Sequence, residues 1–372
     1  MVKLKPIYPI GIDFDNQDLY AVQLKRMGEG VAIREMVHQR LSHPLADTMD
    51  SGDSLASILR EILKKNHFRG KRILFNIPYQ YVYTFPISFE IGNGKSIEDA
   101  IVQEMKGYLS FTVNEAIIDY PSIKAVTNGE TTKYKAIIVV VQRDKMGQYL
   151  NVLKQAGLSV EAVDVGLTSL IRLHRNLFEL SEKPVILCNV GHRESTLCIV
   201  TEDSILANRN VNWGLQPLLN SLKNNLELPD NNDQALSLLR NYGLLYEDHA
   251  DHQNDVLSEG STDNGQDRAL YRVIFQVLSP YIDDLINEFH QIIGYVRAET
   301  HEIAFNEIFM YGQANSLLHL DKHLERRLNI PTRCVNPMTK GILSGDSILS
   351  DRAEAASFSL ALGLAMRKGT WL

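Results

Sequence analysis

The sequence predicts an α/β protein of two lobes that repeat one architecture. Each half of the chain opens with three short strand-forming segments joined by tight turns, the first set within 7–37 and the second within 185–208. Helical segments with one apolar face follow each set. A chain of 372 residues, 44% of them hydrophobic, is long enough for two lobes with separate cores. A duplicated α/β architecture accounts for this pattern.

The first half alternates strands and helices around one inserted segment. Helices are predicted where apolar residues recur every three or four positions, and strands where β-branched and apolar residues alternate or run together. Ser96 is a helix N-cap, and Gly157 lies just past a helix end. The predicted strands are Ile7–Phe14, Leu19–Leu24, Val31–Val37, Ile73–Ile77, Tyr83–Phe89, Ala116–Ala125, Lys133–Gln142 and Val160–Val165. The predicted helices are Ser54–Lys65, Ser96–Tyr108, Arg143–Ala156 and Thr168–Leu180.

The second half repeats the strand meander and then becomes more helical. Its predicted strands are Val185–Val190, Thr196–Val200, Ile205–Asn208, Glu307–Tyr311 and Thr332–Asn336. Its predicted helices are Gln216–Leu226, Gln234–Asn241, Leu270–Ala298, Leu318–Leu328 and Ala353–Met366, of which the third contains Pro280 and should be kinked there. The acidic stretch Tyr246–Gln266 contains no Lys or Arg, which favours a solvated mobile insertion over an acidic docking loop.

Composition excludes several classes of function. A formal net charge of −7 without a basic stripe is not typical of a nucleic-acid-binding protein. Cys188, Cys198 and Cys334 have no metal-ligand spacing and are predicted to be buried thiols of a reducing cytosol. The chain start has no signal-peptide pattern, and no apolar run is long enough to cross a bilayer. His249 and His252 lie in the acidic stretch, so we expect no dedicated metal site there.

One strand-turn-strand segment has the residues of a phosphate-binding loop. Val185–Val190 ends at Gly191, and the strand after the turn begins with the hydroxyl residues Ser195 and Thr196. Backbone N–H groups and hydroxyls that converge at such a turn can hold a phosphate. The same pattern is more often a plain β-meander, so the segment alone leaves both alternatives open and favours the meander.

Several short motifs, taken in order, resemble one known family. They are Gly11-Ile-Asp13; Tyr108-Leu-Ser-Phe111 followed by Ile117-Ile-Asp119-Tyr120; the segment LKQAGLSVEAVDV at 153–165; Leu328-Asn-Ile-Pro331 with Asn336-Pro337; and Ala361-Leu-Gly363-Leu-Ala365. This set is similar to the type IV pilus assembly protein PilM family, which is related to the cell-division protein FtsA. The resemblance covers nearly the whole chain.

The resemblance implies an actin-like two-lobed fold of duplicated ribonuclease-H-like domains, with an FtsA/PilM-type inserted subdomain in the first lobe. The first-lobe core is predicted at 1–84 and 163–182, and the inserted unit at 85–162. The second-lobe core is predicted at 183–218 and 303–372. A helical subdomain is predicted at 219–302, with the mobile acidic insertion at about 246–267.

The resemblance also implies a cytoplasmic protein that is held at the inner membrane by a partner. The partner is a bitopic PilN-like protein whose short cytoplasmic N-terminal peptide lies in a groove of the first lobe. A cytoplasmic assembly ATPase is a further candidate partner. Met105, Tyr108 and Phe111 are apolar residues near one helix end that could line the groove, although such a triplet is more often core.

The positions that should bind ATP and Mg²⁺ in this fold depart from the family pattern. Asp13 is kept, but Asp15 stands at a glycine position, and Asn189 replaces an aspartate that would order the metal. The last loop keeps Gly312 after a tyrosine, and leucines take both polar positions of the adenine-contacting helix. We therefore expect a non-catalytic scaffold with no cofactor and no metal.

The alternative is an active actin-like ATPase. In it, Asp13 and Asn189 would surround Mg²⁺, while Gly191, Ser195, Thr196 and Gly312 would contact the nucleotide. A sugar or acetate kinase of the same superfamily would need a base for the acceptor hydroxyl. Glu194 is the one candidate beside the turn, and a glutamate in a turn is usually solvated.

Overall fold

A computed structural model describes residues 7–27, 30–45, 48, 53–92, 94–128, 131–180, 182–244, 264–300, 304–338 and 352–367. Its strands are, in chain order, β1 (Ile10–Asp15), β2 (Asp18–Met27), β3 (Gly30–Arg40), β4 (Arg72–Asn76), β5 (Val82–Glu90), β6 (Ala116–Asn128), β7 (Thr131–Gln142), β8 (Ser159–Asp164), β9 (Val185–Val190), β10 (Ser195–Val200), β11 (Ile205–Val211), β12 (Ile308–Gly312) and β13 (Thr332–Cys334).

The α-helices of the described residues are α1 (Asp53–Lys65), α2 (Ile97–Met105), α3 (Arg143–Gln155), α4 (Gly166–Leu177), α5 (Leu215–Asn225), α6 (Asp233–Asn241), α7 (Asn264–Thr300), α8 (Leu320–Leu328), α9 (Arg352–Ser357) and α10 (Ser359–Ala365). Residues 246–263 of the predicted acidic insertion lie outside the described residues, and residues 264–266 belong to α7. His249 and His252 lie outside them as well.

The two lobes repeat one sheet topology, as the sequence predicts. In the first lobe the strand order is β3-β2-β1-β4-β8, and in the second it is β11-β10-β9-β12-β13. Each sheet consists of an antiparallel three-strand meander followed by two strands that run parallel to the first strand of that meander. The central strands β1 and β9 are buried on both faces, which matches their continuous apolar sequences. The duplicated α/β fold is confirmed.

The inserted unit consists of the three-stranded sheet β5-β7-β6 with α2 packed on one face. Ser96 caps α2, and its hydroxyl accepts the Asp99 N–H while the Asp99 carboxylate accepts the Ser96 N–H. Asn208 of β11 donates a hydrogen bond of 2.9 Å to Thr84 of β5. The inserted unit therefore contacts the edge strand of the second-lobe sheet.

The limit of the inserted unit differs from the predicted 85–162. Ser159–Asp164 pairs in parallel with Arg72–Asn76 and completes the first-lobe sheet. Helix α3 buries Met146, Tyr149 and Leu153 in the core that also holds β1 and α1. Residues 143–162 therefore pack with the first lobe, because their apolar faces cover its sheet. The remaining predicted domain limits stay predictions.

The C-terminal segment, predicted as one helix, forms α9 and α10 with a break at Phe358. Helix α10 crosses from the second lobe and lies against β1 and α4. A Cβ placed on Gly11 of β1 would lie 2.7 Å from the backbone N of Ala365, so only glycine permits this approach. The Arg172 guanidinium donates to the Gly363 carbonyl of α10 and also pairs with Asp164 at 2.7 Å.

An apolar core joins the lobes behind the cleft. It contains side chains from β2, from α4, from the second-lobe sheet and from α10, among them Tyr20, Leu170, Leu187 and Leu362. Within it the Tyr311 hydroxyl and His174 Nδ1 share a hydrogen bond of 2.8 Å between β12 and α4. The cleft in front of this core is therefore bounded by two sheets whose relative position is fixed by packing.

Candidate functional site

The turn that joins β1 to β2 in the first lobe faces the turn that joins β9 to β10 in the second. Between them lies a cavity of about 60 Å³. All six residues predicted to contact a nucleotide line it, namely Asp13, Asn189, Gly191, Ser195, Thr196 and Gly312. The fold thus brings together residues that are up to 299 positions apart in the sequence, although their role as nucleotide ligands stays a prediction.

Asp13 is held at the carboxyl-terminal part of β1 and is almost fully buried, with 6% of its surface exposed. The Asn76 side-chain amide donates to Asp13 Oδ1 at 2.9 Å, and the Asn76 oxygen accepts the Ser169 hydroxyl at 2.8 Å. Burial raises the pKa of Asp13 to about 6, against the hydrogen bonds from Asn76 and the Phe14 backbone. This carboxyl is therefore fixed by a chain of polar contacts within the first lobe.

Asp15 reaches across the cleft to the second lobe. The His192 N–H donates a hydrogen bond of 2.8 Å to Asp15 Oδ2. A Cβ placed on Gly191 would lie 3.2 Å from the same oxygen, so the carboxyl lies directly against the turn. Burial, followed by the proximity of Asp13, raises the pKa of Asp15 to about 8, while the His192 N–H opposes the shift. The cleft therefore stabilises the neutral form of this acid.

Asp18, the first residue of β2 and the next acid after Asp15, does not line the cavity. It is 5% exposed, and its carboxylate lies 2.6 Å from His38 Nε2 on the neighbouring strand. The His38 ring stacks on Tyr20 at a centroid distance of 4.7 Å. Asp18 is thus part of the first-lobe sheet and does not point to the same space as Asp15.

The hydroxyls of Ser195 and Thr196 already have protein partners. Ser195 Oγ donates to the Trp213 carbonyl at 2.6 Å, and Thr196 Oγ1 donates to Asn210 Oδ1 at 3.1 Å. Asn210 lies in β11 and Trp213 lies just after that strand, so these bonds stabilise the second-lobe meander. The Ser195 hydroxyl is also buried, at 2% exposure for the residue. Binding a phosphate through either hydroxyl would require breaking one of these bonds.

Gly312 ends β12 with a φ of +65°, a conformation that favours glycine. An added Cβ would meet the Val190 carbonyl and would lie 2.9 Å from Asn189 Oδ1. Gly312 is therefore required by the close pairing of β12 with β9. Its position beside Asn189 does not depend on any ligand.

Glu194 is the acid of the second-lobe turn, and it lines the cavity. Burial raises its pKa to about 7, and its Oε2 atom has no hydrogen-bond partner among the described residues. A half-buried carboxyl of this kind has the pKa of a general base. The opposite wall of the cavity, however, carries Asp13 and Asp15, so the site presents three acids to any substrate.

A family model described as type IV pilus assembly protein PilM matches residues 11–250 and 268–369. The chain belongs to the type IV pilus assembly protein PilM family. Among solved structures, the PilM-PilN type IV pilus biogenesis complex is similar with 18% identity and a TM-score of 0.74, covering 96% of this chain and 97% of that one. The ethanolamine utilization protein EutJ from Carboxydothermus hydrogenoformans is similar with 12% identity and a TM-score of 0.54, covering 98% and 90%. These likenesses confirm the actin-like two-lobed fold.

Helix α6 is the helix predicted to contact adenine in the PilM family, and it turns its apolar face to the second-lobe core. Ala235 and Leu239 are fully buried, and Leu236 and Leu238 pack against the second-lobe core. Leu236 and Leu239, which stand at the two polar positions of the family's helix, are thus used for packing. Tyr311, which precedes Gly312, is fully buried and bonded to His174.

Of the three predicted partner-binding residues in this PilM-family chain, Met105 was wrongly placed. Its side chain is fully buried in the core of the inserted unit, because it closes the α2 face that lies on the sheet. Tyr108 is 53% exposed, and Phe111 is partly exposed. The core alternative therefore applies to Met105 and in part to Phe111, which packs against the same core, while Tyr108 is accessible.

Tyr108 and Phe111 belong to a larger aromatic surface that the sequence analysis missed. The Tyr108 ring lies 5.6 Å from that of Phe85, and the Phe111 ring lies 6.0 Å from that of Tyr83. We call Tyr83, Phe85, Tyr108 and Phe111 the aromatic patch. The alternation of Tyr83, Phe85, Ile87 and Phe89 along β5 was the available signal, since residues two apart share one face of a strand.

Among the described residues, none of the helices combines the length and the apolar character needed to cross a bilayer. The same residues contain no group of three or more His, Cys, Asp or Glu side chains placed to share a metal ion.

Proposed function

We propose that this PilM-family protein is a non-catalytic scaffold of a type IV pilus, or a related secretion or competence apparatus. It works on the cytoplasmic face of the inner membrane and binds the short N-terminal peptide of a bitopic, PilN-like protein, which holds it there. The aromatic patch on the inserted unit is the observation that carries this proposal. The likeness to a solved PilM-PilN complex supports the choice of partner.

The aromatic patch has the properties of a peptide-docking surface. Tyr83 is 42% exposed and Tyr108 is 53% exposed, although both rings pack against neighbouring aromatic rings. Rings held in place by such contacts offer apolar area with little loss of side-chain entropy on binding. Exposed aromatic clusters of this kind are enriched at interaction sites. A short peptide with apolar residues at alternate positions would complement the patch.

The non-catalytic part of the proposal is supported by the residues of the cleft, which do not fit a magnesium-bound triphosphate. Asp15 takes the N–H of the second-lobe turn, and the hydroxyls of Ser195 and Thr196 are bonded within the lobe. Asp13 and Glu194, whose pKa values are about 6 and about 7, place negative charge on the two walls near neutral pH and would repel the phosphates.

Peptide binding tests the proposed partner site. A fluorescent synthetic peptide from the cytoplasmic N-terminus of a bitopic PilN-like protein is titrated with wild type, Tyr108→Ala and Tyr295→Ala. Tyr295 serves as the control, because it has a similar exposure of 42% but lies on α7, outside the aromatic patch. We expect Tyr108→Ala to weaken binding about tenfold or more, as is typical of a central aromatic contact, and Tyr295→Ala to bind as wild type.

Absence of binding to wild type, or equal binding by both tyrosine variants, would contradict the proposal that the aromatic patch is the partner site. Circular dichroism of each variant verifies that the loss is not caused by unfolding. An exposed ring contributes little to folding, so all three proteins should have the same spectrum.

The second candidate is an active actin-like ATPase, which is favoured by the assembly of all six predicted nucleotide residues in one cavity. Calorimetric titration of wild type with ATP and Mg²⁺ distinguishes the two. We expect no binding at micromolar concentrations. Micromolar affinity would favour the ATPase and contradict the non-catalytic scaffold.

A further inference from the structure

The turn between β9 and β10 is built to present one N–H group to the cleft. Its own ends are closed, because the Gly191 N–H donates to the Glu194 carbonyl at 2.9 Å. The first N–H groups of α5 hold it from behind, with Leu215 donating to the Gly191 carbonyl and Gln216 donating to the His192 carbonyl at 2.7 Å. The His192 N–H is left pointing at the first lobe, where it meets Asp15.

The turn is also rigid. A Cβ placed on Gly214 would lie 2.5 Å from the Arg193 carbonyl carbon and 2.7 Å from the Glu194 nitrogen, so the segment before α5 packs directly on its back. The His192 side chain is 5% exposed and thus cannot swing out freely. A rigid turn that directs an N–H into a cleft is a preorganised acceptor site for an oxyanion.

The Asp15 carboxyl is the group that occupies this site. Its Oδ2 accepts the His192 N–H at 2.8 Å, and both of its oxygens lie within 3.3 Å of the Cβ position of Gly191. The contact joins residues 177 positions apart and crosses from one lobe to the other. A phosphate oxygen could take this N–H only if the carboxyl moved away.

We propose that the Asp15 carboxyl is an internal ligand of the β9–β10 turn. It takes the place of a phosphate-class anion and joins the two lobes across the cleft by its hydrogen bond to His192. Removing the carboxyl exposes a site that binds such anions. This inference builds on the nucleotide-free interpretation of the cleft given above. Its test measures an inorganic anion and not the partner peptide, so the failure of one is distinguishable from the failure of the other.

Inorganic pyrophosphate without metal is the probe, titrated by calorimetry into wild type, Asp15→Gly and Asp15→Asn. We expect Asp15→Gly to bind pyrophosphate at least tenfold more tightly than wild type. Asp15→Asn should behave as wild type, because its amide oxygen can still accept the His192 N–H. Equal affinity for all three proteins, or no binding to any of them, would overturn the proposal.

Hydrogen exchange of the His192 amide provides a second readout that does not depend on the anion. It uses Asp15→Ala, so the proposal can still be tested if Asp15→Gly does not fold. The amide should be protected in wild type and in Asp15→Asn, and should exchange at least tenfold faster in Asp15→Ala. Equal exchange in all three proteins would contradict the assignment, since a buried amide without its acceptor opens more readily.

Discussion

Replacing Asp15 with asparagine is expected to stabilise the protein, and increasingly so as the pH rises. Burial, and then the nearby Asp13, raise the pKa of the Asp15 carboxyl from its ordinary value of 3.8 to about 8. Asp18 and Glu194 act in the same direction, and the His192 N–H acts against them. A carboxyl whose pKa rises on folding stabilises the folded state at low pH, and this contribution is lost as the pH approaches 8.

The size of the effect follows from the pKa difference. One pKa unit corresponds to about 1.4 kcal/mol, so the interval between 3.8 and pH 7 gives an upper limit of about 4 kcal/mol. Part of the Asp15 side chain remains exposed, and water there screens the charge, so we expect about 2 kcal/mol at pH 7. Asparagine has the same shape, keeps an acceptor for His192, and never ionises.

Urea unfolding of wild type, Asp15→Asn and Asp203→Asn between pH 5 and pH 8.5 measures this prediction. Asp203 is an exposed acid in a turn of the second lobe and serves as the control. The stability difference between Asp15→Asn and wild type should widen from pH 5 to pH 8 and then stay constant, whereas Asp203→Asn should show no such trend. A difference that does not change with pH, or a variant less stable than wild type at pH 8.5, would refute the reasoning.

Two further predictions concern stability. Gly312→Ala should destabilise the protein by about 2 kcal/mol or more in urea unfolding, because alanine is strained at a φ of +65° and its methyl would meet a backbone carbonyl. Gly147→Ala, with open space in α3, should leave stability unchanged or raise it by up to about 1 kcal/mol. Arg172→Ala should cost about 2 kcal/mol, since it removes the 2.7 Å partner of the buried Asp164. Arg209→Ala breaks an exposed ion pair and should cost less than about 1 kcal/mol; equal losses for the two arginine variants would contradict this assignment.

Much of the fold could be predicted from the sequence, because its signals are local. The apolar runs that form β1 and β9, the hydroxyl cap at Ser96 and the glycine after α3 each depend on residues a few positions apart. The repeated order of these elements predicted the duplicated lobes. The ordered motifs predicted the PilM family, which the family model then confirmed over most of the chain.

Which surfaces those elements present to each other was decided by the tertiary structure. The sequence placed Met105 among apolar residues near a helix end that could line a groove, but only packing decided that its side chain lies in the core. The segment Ser159–Asp164 could have joined either of two sheets, and pairing with β4 gave it to the first lobe. Strand partners cannot be read from a segment alone, since every strand offers the same backbone groups.

The sequence by itself determined that an acid stands at position 15, where the family pattern has glycine. It could not determine what that acid does, because the His192 N–H that it accepts lies 177 residues further along the chain and in the other lobe. That contact exists because the core behind the cleft holds both sheets in place and α5 orients the turn. Long-range packing therefore turned a departure from a motif into a specific hydrogen bond.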